Sequence, residues 1–307
     1  MVDSRAAFHQ SRAHNSLLAF TILVLLTGCS VLQSQPLPPP DPAITIVVAP
    51  VSLEATIRKS TQIHSFDTAP TPEDEPLLKK QLVEAVELHA QRRLTEQLAK
   101  QPGFTVIPFE DTQRLQEQLN LPERILEERE VRLLAEQAKA DIAIVARITA
   151  YGSVPWKYWA AGLATETLVE LIVVGFASGW NPAAIGGYFA IDFLLIDLPL
   201  WGGGAYIAGW AFRPVIVEVE AVQLGSCPGA IWNKQEEAIR VPGKTLDEYP
   251  PEERKRKNIQ LRVNLDRAME EIAETASEKL RLQPCTERGQ PMKIRRWSLW
   301  PFSLWPF

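Results

Sequence analysis

Three cysteines and four acids set in apolar sequence are the side chains here that could do chemistry. Cys29 closes "LLTGCS", Leu25 to Ser30, directly after the apolar run Ser16 to Gly28. As a thiolate it is a nucleophile, and its small neighbours leave it open to an acyl donor. Cys227 in "GSCPG" and Cys285 in "LQPCTE" occupy turn-like sequence. In an oxidising compartment they would pair as a disulfide; the other reading is two buried thiols. Glu166, Glu170, Asp192 and Asp197 interrupt a long apolar stretch. Paired carboxylates can exchange protons with a substrate, but no nucleophile or cleft motif accompanies them. Glycines 202–204 in "WGGGAY" lack the spacing of a phosphate loop and have no following Lys-Ser/Thr. G-x-S-x-G, H-E-x-x-H and C-x-x-C do not occur. Beyond the first fifteen residues the histidines are His64 and His89, and no Cys/His cluster has metal-ligand spacing. The expectation is therefore a chain with no catalytic residues, no metal and no cofactor.

The sequence before Cys29 says what its thiol is for. Arg5, Arg12, His9 and His14 stand against one acid, Asp3, and make a positive start. The apolar run that follows is shorter than the roughly 20 residues a bilayer span needs and suits a signal-peptide h-region. Leu26-Thr27-Gly28-Cys29 resembles the lipobox of bacterial lipoproteins. That resemblance implies diacylglyceryl transfer to the Cys29 sulfur, cleavage between Gly28 and Cys29, and acylation of the new amino group, by palmitate among other chains. Several acyl chains hold a protein to a bilayer far more firmly than one. In this family an Asp after the cysteine retains the protein at the inner membrane. Ser30 implies transfer to the outer membrane, at its periplasmic face. "SQPLPPPDP", Ser34 to Pro42, favours polyproline conformation and reads as a semi-rigid tether.

The elements that must position these residues follow from periodicity. The domain plan is a signal peptide at 1–28, a lipidated cysteine and tether at 29–42, an α/β domain from 43–152 plus 213–283, an insertion at 153–212, and a tail at 284–307. "AITIVVAPVS" reads as a buried central strand. Leu78, Leu82, Val86, Ala90, Leu94 and Leu98 recur every fourth residue and predict a long amphipathic helix. Residues 104–109 predict a strand, and Asp111-Thr112 a cap for a short helix. Pro122 opens the next helix, with Ile125, Leu126, Leu133, Leu134 and Ala138 inward. Residues 140–152, 213–224 and 230–239 predict three further strands, and a last helix turns Leu265, Met269, Ile272, Ala276 and Leu280 inward. The fold class is α/β, a mixed sheet of about five strands packed by three to four helices. This order, with "FTVIPFEDT" and "AEQAKADIAIVARITAYG", resembles the curli-secretion (CsgG-like) envelope lipoproteins and the amino-terminal domain of the TolB type. The resemblance implies a binding or assembly module of the cell envelope.

Residues 156–212 depart from that pattern. Two apolar segments, 158–178 and 184–200, flank the turn-like "SGWNPA" and predict a helical hairpin between the third and fourth strands. Three readings stand: it enters the membrane, it contacts a protein partner or a second copy, or it folds back to enlarge the core. The four acids argue against a fully lipid-facing span, since an unpaired carboxylate in hydrocarbon costs at least about 2.5 kcal/mol; Glu166 and Glu170 would share one helical face, a candidate wet face. Period-two alternation is clear only from about Tyr206 onward, so the pattern does not support a β-barrel pore. Trp156, Trp159, Phe189, Phe193, Trp201 and Trp210 are the candidate membrane or partner contacts here, joined by Trp300 and Trp305 in the twice-repeated "SLWPF" tail, which follows Lys293, Arg295 and Arg296. A net charge of −5 with mixed signs excludes a nucleic-acid partner. The expected protein is a lipid-anchored, non-catalytic envelope module. The alternatives are a subunit of an oligomeric secretion channel and, without a visible site, an envelope hydrolase.

Overall fold

The computed structural model describes residues 43–121, 126–201, 206–207, 210–224, 228–241 and 243–282. Gly28, Cys29, Cys227, Cys285, Trp300 and Trp305 lie outside them, as does the side chain of Trp201. The apolar run at the start of the domain becomes β1 (Ile44–Val48), followed by the two-residue β2 (Ser52–Leu53). Helix α1 (Glu75–Ala99) leads to β3 (Phe104–Val106), then α2 (Phe109–Gln118), α3 (Glu128–Gln137) and β4 (Ile142–Tyr151). After the insertion come β5 (Tyr206–Ile207), β6 (Trp210–Gln223) and β7 (Gly229–Val241). A single helical turn, Gly243–Leu246, precedes the last helix, Lys257–Lys279.

Among the described residues the seven strands form one mixed sheet. β1 pairs parallel with β3 and β4, and β2 pairs parallel with β4 farther along, at Arg147 and Ile148. β4 and β6 run antiparallel over most of their length, as do β6 and β7. The two-residue strands extend neighbours already expected, so the long strands number five, as the periodicity predicts. Alternation decides the faces. Ile44, Ile46 and Val48 join Ile142, Ile144, Ile148, Val217 and Val219 under α1 and the last helix. Val47, Ala49 and Ala143 turn to the opposite face and pack on Val131, Leu134 and Ala135 of α3. Each fully buried Leu or Ile contributes roughly 1.5–3 kcal/mol. The inward set of the last helix, Leu265, Met269, Ile272, Ala276 and Leu280, is buried as expected.

Three local expectations differ from the structure. The strand at 104–109 stops at Val106, because Pro108 has no N–H for a ladder and instead caps α2, which starts at Phe109 rather than after Asp111. The next helix begins at Glu128, with Glu127 and Glu130 forming a reciprocal capping box; Pro122 and Ile125 lie outside the described residues. Leu133 is exposed, because Leu134, one residue on, already fills the inward position. The break between β1 and β2 is held from α1: the Gln91 side-chain amide donates to the Val48 carbonyl at 3.1 Å, and the Leu53 N–H donates to Glu87 at 2.7 Å. Burial pushes the Glu87 carboxyl up, and that N–H partly opposes it.

Candidate functional site: an inverted helical hairpin

The insertion leaves the sheet at the end of β4, where the Gly152 N–H donates to the Pro214 carbonyl at 2.8 Å. It returns as β5, whose Tyr206 and Ile207 pair with Ala211 and Trp210 of β6. Ala211 also pairs with Val241 of β7, so β5 occupies the same side of β6 as β4. Both feet of the insertion therefore stand at one end of one lane of the sheet. The polar residues under this end are tied together. Arg213 Nε donates to Gln260 at 3.0 Å, and Asn264 Nδ2 donates to the Arg213 carbonyl at 2.5 Å. Burial pushes the Arg213 guanidinium down.

From these feet rises α4 (Trp156–Ser178), 23 residues and about 35 Å long at 1.5 Å per residue. Its end is a Schellman turn: the Trp180 N–H donates to the Gly175 carbonyl at 2.7 Å, and Gly179 adopts φ +62°. Gly175 matters for a second reason. A Cβ there would stand 2.8 Å from the Trp180 ring, so only glycine lets that indole fold across the turn. Asn181 then caps α5 (Pro182–Asp192), its side chain accepting from the Ala183 and Ala184 N–H groups, with Pro182 in the first helical position. The turn expected at "SGWNPA" is present, at Gly179–Asn181, with Ser178 ending α4 and Pro182 and Ala183 already in α5. α5 continues through a π-helical turn, Phe193–Asp197, into a last α turn, Leu198–Trp201.

The arrangement of side chains on this hairpin is the reverse of a water-soluble one. Leu168, Val173, Phe176, Ile191, Leu194 and Leu195 are exposed, Phe176 by 73 % and Ile191 by 64 %. The acids point inward. One carboxylate oxygen each from Glu166, Glu170 and Asp197 lie within 4.8 Å of one another. Asp192 lies beside this group, close enough to act electrostatically on Glu170, Tyr188 and Asp197. Asp197 is only 1 % exposed. Helix geometry explains the convergence. Glu166 and Glu170 are one turn apart and share a face. Asp192 and Asp197 are five apart, about 140° out of phase on a regular α-helix, and the i→i+5 hydrogen bonding of the π turn brings them together.

Two sequence expectations change here. The face shared by Glu166 and Glu170 is the seam between α4 and α5, so it is not a wet face. The core-enlarging reading fails as well: 6 % of each helical stretch, Trp159–Ser178 and Pro182–Leu200, is buried. Both stretches are long and apolar enough to cross a membrane. Of the expected aromatic contacts whose side chains are described, Trp156 at the foot is the most exposed, 78 %, and Phe189 and Trp210 are exposed. Trp159 and Phe193 are half-buried and line a shallow apolar groove between the helices, with Phe193 stacked on Phe189 at 5.0 Å. Trp210 carries the Arg240 guanidinium 4.9 Å above its ring. Trp180 at the tip is exposed and is a candidate contact missing from the sequence reading; its position one residue after the αL glycine was the available signal.

No family model matches the chain, and no curated protein matches it. Solved structures similar to it include the LpoB C-terminal domain from Salmonella enterica, 8% identical, covering 64% of this chain and 83% of that one with a TM-score of 0.27. The hypothetical protein CT253 from Chlamydia trachomatis is 9% identical, with 77% and 97% covered and a TM-score of 0.35. The lipoprotein GNA1162 from Neisseria meningitidis is 13% identical, with 66% and 85% covered and a TM-score of 0.29. Superpositions this loose leave function to the residues themselves.

Proposed function

We propose that this chain is a lipid-anchored, non-catalytic assembly module of the bacterial envelope, held to its membrane twice. The lipobox at Leu26–Cys29 supports the first attachment, through acyl chains on Cys29. The observation that carries the second is the inversion of the hairpin, hydrocarbon outward and carboxyls inward. Water favours the opposite arrangement, whereas a bilayer core favours this one, with polar groups facing a neighbouring helix. From residue 158 to residue 212 there is no Lys or Arg. Tryptophans mark both ends, Trp156 at the foot and Trp180 at the tip, as interfacial indoles do. The 23 residues of α4 span about 35 Å, close to a hydrocarbon core of about 30 Å plus its interfaces. The tether permits this placement: 14 residues from Cys29 to Ala43 reach at most about 50 Å at the extended-chain limit.

Ser30 supports the outer membrane as the site of the anchor, with the α/β domain on its periplasmic side, where it would meet a protein partner. A subunit of a secretion channel is the second reading, and the resemblance of the fold's element order to the curli-secretion family is what favours it. The test is retention of the anchorless chain. Cys29→Ser, extracted from envelopes with alkaline carbonate, should remain in the membrane pellet through the hairpin. A variant in which residues 156–201 are replaced by a short Gly/Ser loop should be released once Cys29 is also Ser. Release of the Cys29→Ser chain with its hairpin intact would remove the second attachment from the account.

A further inference from the structure

We infer that the foot of the hairpin binds the phosphate of an anionic phospholipid, through Arg240 on one side of the foot and Arg58 on the other. The inference rests on the reading of the hairpin as a membrane element and adds the headgroup chemistry of the surface it enters.

Cations flank the foot and are absent above it: the chain has no Lys or Arg between Lys157 and Arg213. At the returning foot, Trp210 opens β6 opposite Ile207 of β5. Arg240 of β7, opposite Phe212, lays its guanidinium over the Trp210 ring, 4.9 Å from the centroid. Both side chains are exposed. At the departing foot, the Arg58 N–H donates to Gln62 Oε1 at 2.7 Å, and the Gln62 carbonyl oxygen lies 3.5 Å from where a Cβ on Gly152 would stand. The Arg58 side chain is exposed there. Among the described residues, neither Arg240 nor Arg58 has a carboxylate in ion-pair range. Other arginines of this end are engaged, Arg254 with Asp247 at 2.8 Å and Arg256 with Asp67 at 3.1 Å. Glu248 and Glu252, exposed acids of the same end, keep it from being uniformly basic. The attraction is therefore local to two placed guanidiniums and is not a field of net charge.

The donor chemistry selects the ligand. A guanidinium fork matches a phosphate with two parallel N–H···O bonds. Stacking on Trp210 holds the plane of the Arg240 guanidinium and leaves its N–H groups to an oxyanion. A hairpin submerged from Trp156 upward sets Trp210 and both arginines at headgroup depth, where indoles and arginines of membrane proteins gather. The phosphate at that depth is the phosphodiester of a phospholipid. A zwitterionic headgroup brings its own ammonium to that phosphate. An anionic headgroup leaves the charge to the protein, so the anionic lipid is the preferred one. A basic residue next to an anionic lipid surface strengthens binding about fivefold.

The test is native mass spectrometry of the full chain in detergent micelles, titrated with phosphatidylglycerol and separately with phosphatidylcholine. The first phosphatidylglycerol is expected to bind at least about fivefold more tightly than phosphatidylcholine. Arg240→Gln and Arg58→Gln should each weaken phosphatidylglycerol about fivefold and leave phosphatidylcholine unchanged. Lys100→Gln, just ahead of β3 at the opposite end of the sheet, should change neither. Equal affinity for the two lipids, or undiminished phosphatidylglycerol binding in the double variant Arg240→Gln, Arg58→Gln, would overturn the site. Displacement of phosphatidylglycerol by glycerol phosphate at equal concentration would overturn the lipid assignment in favour of a soluble phosphate. Should Arg240→Gln lose its circular dichroism, Arg58→Gln carries the test alone, with the same fivefold loss required. Micelles solubilise the chain whatever its membrane depth, so this result and the carbonate extraction can fail separately.

Discussion

Leu168→Asp combined with Ile191→Lys, in the Cys29→Ser chain, is expected to move the protein from the membrane pellet to the carbonate supernatant. Both residues lie near the middle of the two apolar helical stretches, Trp159–Ser178 and Pro182–Leu200, on the outward face, 58 % and 64 % exposed. A charge at the centre of a membrane helix costs about 2.5–3.5 kcal/mol, so two cost about 5–7 kcal/mol together. At 1.4 kcal/mol per decade that is a change of roughly ten-thousandfold in partition. The pair carries opposite signs, so the net charge of the chain is unchanged and a general electrostatic effect is removed. Neither residue belongs to the clusters that build the α/β core, and the thermal midpoint of that domain should not move. A chain that stays in the pellet with both charges present is held by something other than the outer face of the hairpin.

The second large effect concerns the anchor. Cells supplied with a clickable palmitate should label the wild-type chain and leave Cys29→Ser without label. The difference is all or none, because acyl transfer to the sulfur needs a thiolate and serine offers none near neutral pH. Lipid anchoring then follows from chain number: each buried methylene contributes about 0.8 kcal/mol, and one chain alone binds only reversibly. Separation of inner and outer membranes in the same experiment reads the Ser30 sorting argument. Cys29-dependent label in the inner membrane would overturn the outer-membrane placement and keep the anchor. An unlabelled wild-type chain would overturn the reading of "LLTGCS" itself.

Much of the fold was legible because the core elements carry clear periods. The four-residue spacing from Leu82 to Leu98 and the three- and four-residue spacing from Leu265 to Leu280 marked both helices of one layer, and apolar runs rich in β-branched residues marked β1 and β4. The errors fell where one residue type serves two roles. Pro108 ends a strand and caps a helix, so the apolar string through Phe109 concealed a boundary. Leu133 and Leu134 are adjacent leucines, and composition alone does not say which turns inward. The hairpin was legible as an element, through "SGWNPA" and two apolar segments, while its inside was not. Glu166 and Asp197 are 31 positions apart and meet only because the turn returns α5 along α4. The phase of Asp197 depends on a π turn that hydrophobic periodicity does not reveal. In the sequence the acids counted against membrane entry; in the structure their inward placement removes that objection.

The central claim is that the exposed apolar face of the hairpin lies in hydrocarbon. It is tested most directly by depth. A bimane fluorophore placed singly at Leu168→Cys, Ile191→Cys or Glu218→Cys, in a chain whose native cysteines are Ser, is reconstituted into vesicles of lipids brominated at mid-chain. Strong quenching at positions 168 and 191, with none at position 218 on the sheet, is the predicted result. Equal quenching of all three by aqueous iodide, and none by the brominated chains, would contradict the account and make the inverted hairpin a protein-binding surface.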